Sequence, residues 1–68
     1  MKKTLLKFGY NLVQYIEEYN MICMIIYKLP SCTVSNFNLK EYLELIFDSK
    51  IQFIDNELVD NTIKVIIK

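Results

Sequence analysis

Seven consecutive apolar residues, Met21 to Tyr27 (Met-Ile-Cys-Met-Ile-Ile-Tyr), constrain the fold of this chain more than any other feature. A bilayer-crossing helix needs roughly 20 such residues, so the run falls far short of one. Three Ile and a Tyr in so short a stretch, closed by Pro30, read as a strand covered on both faces. The competing reading extends a preceding helix to Lys28, because Cys23 and Ile26 prolong its apolar stripe.

That helix is predicted over Lys2 to about Asn20. Leu5, Phe8, Leu12, Ile16 and Tyr19 recur at helical spacing, with Val13 and Tyr15 alongside and Lys3, Lys7, Asn11, Gln14, Glu17 and Glu18 opposite. Gly9 beside the stripe suggests close approach of another backbone. Tyr10 is the misfit, projecting among polar residues as an interface residue would. Residues 30–37 form a polar loop. Asn38 followed by Glu41 resembles a capping box and predicts a second helix from Leu39 to about Asp48. Its inner stripe is Leu39, Tyr42, Leu43 and Ile46 with Phe47 alongside, and its outer side holds Glu41, Glu44, Leu45 and Asp48. After Ser49 the period becomes two. Ile51 and Phe53 share one strand face, Ile63, Val65 and Ile67 another, and the turn-rich stretch Asp55 to Asn61 joins them as a hairpin.

The expected fold is α+β: one domain over residues 1–68, ordered α-β-α-β-β, with a three-stranded, mostly antiparallel sheet and two helices on one face. The alternative is a winged-helix-like, mostly α chain with a C-terminal β-hairpin. A chain of 68 residues has a core that rarely gives more than about 3–5 kcal/mol, so a supplement is needed. Cys23 and Cys32 alone do not make a structural zinc site. The apolar stretch after Met-Lys-Lys is broken by Lys7, Asn11 and Gln14, so no secretion h-region forms. The expectation is a cytoplasmic protein with reduced thiols, supplemented by association into a homo-oligomer, a homodimer in the simplest case.

Reactive chemistry is scarce. The chain contains neither His nor Arg, which removes the side chain suited to proton transfer near neutrality and the planar fork suited to phosphate. The paired carboxylates Glu17-Glu18 and Glu41/Glu44 fall on predicted solvent faces, where solvated helix charge is the expected role. Asp55, Glu57 and Asp60 match no calcium-loop spacing, and the single glycine, Gly9, excludes a Gly-rich phosphate loop. The chain is therefore read as non-catalytic, with no cofactor and no metal.

Charge distribution is more informative than net charge, which is zero. Residues 41–60 carry Glu41, Glu44, Asp48, Asp55, Glu57 and Asp60 against Lys50 alone. A helix with these groups outward is repelled by phosphates, so direct nucleic-acid binding is not expected, nor is a membrane partner. Leu45, stranded on the acidic side, has the form of an interface anchor with a polar rim, and an acidic rim steers toward a basic partner. The expected partner-binding residues are Glu41, Glu44, Leu45, Asp48, Asp55, Glu57, Asp60 and Tyr10. Ile, Lys, Asn and Tyr dominate while Ala is absent, a bias that fits the products of phages or other mobile elements in AT-rich hosts. The function expected is a small protein-binding module, of which an inhibitor that blocks a basic nucleic-acid-handling site on a larger host defence protein, an anti-CRISPR-like factor, is the concrete form. A winged-helix nucleic-acid binder and a structural subunit of a homo-oligomer are the alternatives.

Overall fold

The structure, a computed structural model, describes residues 1–55 and 59–68. Its elements are α1 (Lys2–Phe8), β1 (Tyr10–Glu18), β2 (Met21–Lys28), α2 (Asn36–Phe47), β3 (Ile51–Asp55) and β4 (Thr62–Ile67). The strands form one antiparallel sheet in the order β1-β2-β4-β3. The α+β class and the C-terminal hairpin are as expected, whereas the sheet has four strands instead of three. The winged-helix alternative fails, because a β-hairpin separates the two helices and all four strands share one sheet.

The extra strand comes from the stretch predicted as the second half of a long first helix. Gly9 ends α1 in the left-handed region at φ 94°, and its N–H donates to the Leu5 and Leu6 carbonyls. That is the usual helix stop. Beyond it, Tyr10-Asn-Leu-Val-Gln-Tyr-Ile is rich in aromatic and β-branched side chains that favour a pleated surface. Leu12, Ile16 and Tyr19 match helical spacing, but the backbone reversal at Gly9 overrides it. Close approach at this glycine is also real: a Cβ there would lie 2.8 Å from the Cys32 Cβ.

The apolar run occupies β2, between β1 and β4. Met24 and Ile26 are buried beneath the helices with Ile63, Val65 and Ile67 of β4, Ile51 of β3, Leu5 of α1, and Leu39 and Leu43 of α2. The register puts Cys23, Ile25 and Tyr27 on the other face, with Ile66 and Lys64. Neither α1 nor α2 covers that face, so these β2 residues are half-buried and, among the described residues, the expectation of cover on both sides holds for one side only.

α2 starts a turn earlier than predicted. The Ser35 hydroxyl accepts the Asn38 N–H at 3.1 Å, making Ser35 the N-cap and placing Asn38 inside the first turn. Phe8 of α1 and Tyr42 of α2 pack with ring centroids 4.7 Å apart and ring planes tilted by 59°, which joins the two helices above the sheet.

Candidate functional site

The outer side of α2 is the surface on which the sequence-derived residues converge. At 100° per residue, Phe37, Glu41, Leu45 and the position of Asp48 lie within an arc of about 80°, with Glu44 at its margin. This arc is opposite the buried Leu39 and Leu43. Leu45 is 81% exposed and Phe37 66% exposed, the one about 12 Å further along the axis than the other. Glu41, Glu44 and Leu45 together line one shallow depression.

The acidic residues do not all behave alike. Glu44 is half-buried, and its carboxylate accepts the Ile51 N–H at 3.3 Å, which ties α2 to the start of β3. Asp48 follows the last helical residue in the left-handed region, φ 49°. Asp55 and Asp60 are elsewhere: with Lys28, Asn36 and Asn61 they line an open cleft of about 390 Å³ at the other end of α2. The acidic tract of the sequence is thus divided between two places. Glu57 lies outside the described residues.

Tyr10 is a correction. It was expected on the surface and is fully buried. Its hydroxyl donates to Asn36 Oδ1 at 2.8 Å, with the Val34 carbonyl at 3.1 Å as a second acceptor. The Lys28 ammonium sits 5.9 Å above its ring. Burial, reinforced by the neighbouring Cys32 thiol, pushes its pKa up to about 12. Tyr10 therefore belongs to the frame that seats α2 and not to a binding surface.

Two exposed regions escaped the sequence reading. The sequence puts Phe37 in the polar loop, whereas Ser35 as the N-cap carries it onto the outer helix face. The second is the far half of the β1–β2 hairpin, where every residue from Val13 to Met21 is exposed and Tyr19 stands fully in solvent at the turn, φ 51°. Reading Gly9 as a helix stop would have revealed this arm.

Among the described residues no three His, Cys, Asp or Glu side chains gather where they could hold a metal ion. No helix among the described residues is long and apolar enough to cross a membrane. Comparison with protein-family models, with curated proteins and with solved structures found no match.

Proposed function

We propose that this chain is a non-catalytic protein-binding module that sets the outer side of α2 against a basic surface of a larger host protein. The observation carrying this reading is Leu45, 81% exposed beside Glu41 and Glu44, with which it lines one depression on the side of α2 turned away from the core. An apolar anchor gains most when its whole surroundings are desolvated, and a carboxylate rim speeds encounter with a cationic patch while repelling phosphate. Phe37, on the same side, supplies a second apolar contact one helix segment away. Occupying a basic site used for nucleic acid makes such a module an inhibitor. The phage-like composition agrees with an anti-defence role of the anti-CRISPR kind.

The test is affinity capture from the native host at low and high ionic strength, using the wild-type chain, Leu45→Asp, and the double charge reversal Glu41→Lys/Asp48→Lys. Glu44 is left intact because it holds the Ile51 amide. The wild-type chain should retain a partner in a salt-sensitive manner, and both variants should lose it while melting as cooperatively as the wild type. Equal retention by all three, or salt-steep binding of the purified chain to nucleic acid, overturns the reading.

A further inference from the structure

The two edges of the sheet differ in kind. β3 has five residues and ends on Asp55. β1 has nine, contains no Pro and no Lys, and carries no charge before Glu17. Its outer row of N–H and C=O groups faces away from β2, and long edges of this composition are the ones sheets normally shield with charge, proline or brevity.

The irregularity between Leu12 and Gln14 decides which part of this edge is usable. Before it, Tyr10 and Leu12 share the helix-covered face with Lys28 and Ile26; after it, Tyr15 and Glu17 share that face with Met24 and Ile22. A strand crossing the irregularity would therefore find its side chains on the wrong faces. The longer regular stretch is Gln14 to Glu18.

We propose that Gln14 to Glu18 pairs antiparallel with the same segment of a second copy, about a two-fold axis at Ile16, joining two four-stranded sheets into one of eight. Self-complementarity identifies the occupant. In this register Ile16 meets Ile16, Tyr15 meets Glu17, and Gln14 meets Glu18. Each carboxylate then faces a phenol or a carboxamide donor of the other copy, and no like charges stand directly opposite. The Tyr15 hydroxyl already donates to Glu17 Oε2 within one chain at 3.2 Å, so pairing only exchanges this bond between copies. The neighbouring registers that keep side chains on matching faces are worse. One opposes Glu17 to Glu17 and Ile16 to Glu18, and the other sets Glu17 across from the irregular Val13.

Burial favours the same arrangement. Ile16 is 41% exposed and stands beside Cys23, which stands beside Ile66. Pairing makes these three residues of each copy one continuous apolar row on the face that neither α1 nor α2 covers. α2 packs against β3 at the opposite end of the sheet and takes no part, so this inference is independent of the partner reading of α2.

Sedimentation of the purified chain over about a hundredfold concentration range reads the association directly, since a short strand pairing makes a small interface and a concentration-dependent equilibrium. The mass should rise from the 8.1 kDa of one chain toward twice that value. Ile16→Lys should abolish the rise while leaving the circular dichroism of the dilute chain unchanged. As a second measurement that does not depend on that variant, Ile16→Cys in a Cys23→Ser background, which removes the free thiol opposite position 16 within the same chain, should form a disulfide-linked dimer under mild oxidation, mapped to position 16 of both chains, because directly opposed positions of an antiparallel pair meet disulfide geometry. Ile54→Cys, on the β3 edge, should not. A wild-type chain that stays monomeric throughout, a dimer that survives Ile16→Lys, or an edge that pairs only with strands of other proteins overturns the proposal.

Discussion

The Tyr10 hydroxyl donates to Asn36 Oδ1 across 2.8 Å, linking the first residue of β1 to the first residue of α2. The bond is partly buried, between a Tyr10 ring with no solvent exposure and a half-buried Asn36. Tyr10→Phe keeps the ring and removes the donor, leaving Asn36 Oδ1 short of a partner. The cost should be about 1–2 kcal/mol, seen as a lower urea midpoint at neutral pH.

The same residue gives the fold a limit at high pH. Burial pushes its pKa up to about 12 in the folded chain from 10.0 for a free tyrosine, so the folded state favours the protonated form. This contribution is complete below pH 10 and is lost as pH rises toward 12. Urea stability measured across that window should fall more steeply for the wild type than for Tyr10→Phe, with the lysines contributing equally to both. Parallel slopes would show that Tyr10 is not the group responsible.

Gly9 should tolerate no side chain. Its φ of 94° disfavours any L-residue, and a Cβ would meet the Cys32 Cβ at 2.8 Å and its Cα at 3.0 Å. The conformational cost is about 1–2 kcal/mol and the crowding about 1–3 kcal/mol more. Gly9→Ala should therefore melt well below the wild type. Cys32→Gly in the same chain should recover the share of the crowding due to the Cys32 Cβ and Sγ, and leave the contact with its Cα and the conformational part. An unchanged melting temperature for Gly9→Ala would contradict both.

Gly9 also marks where the sequence is legible and where it is not. From Asn38 onward, the helix face of Leu39 and Leu43 and the alternation of Ile63, Val65 and Ile67 each obey one period, and the structure follows them. Between Leu5 and Tyr19 the apolar residues satisfy helical spacing and also have strand-forming chemistry. Periodicity alone cannot separate these, and a single left-handed residue decides. The same ambiguity placed Tyr10 outside, because its position on a helix wheel is polar while its position on a strand faces the core. The exposed Leu45 was legible because it needs only the local helix phase. The separation of Asp55 and Asp60 from Glu41 was not, because it depends on how α2 lies along the sheet.

The two ends of α2 should respond in opposite directions. Ser35→Ala removes the acceptor for the Asn38 N–H and should cost about 1 kcal/mol. At the other end Asp48 holds a left-handed conformation, and its carboxylate lies where the helix dipole is negative. Asp48→Gly relieves both and should gain about 1 kcal/mol, whereas Asp48→Asn relieves mainly the charge and should gain less. Thermal melts should rank Gly above Asn above Asp at this position, and the reverse ranking would show that the carboxylate makes a stabilising contact.

Leu43 and Leu45 sit two residues apart on α2 with the same side chain and opposite environments, one fully buried and the other 81% exposed. Leu43→Ala opens a cavity in the buried core cluster and should cost about 2–5 kcal/mol, enough to unfold much of so small a chain. Leu45→Ala leaves no cavity and should change stability by less than about 0.5 kcal/mol. A stable fold gives no reason for a Leu at this position, so whatever is lost with Leu45→Ala must appear in binding. Urea titration of both variants beside a capture assay separates the roles. If Leu45→Ala lowers stability as Leu43→Ala does, the residue is part of the core and the outer side of α2 has no anchor to offer a partner.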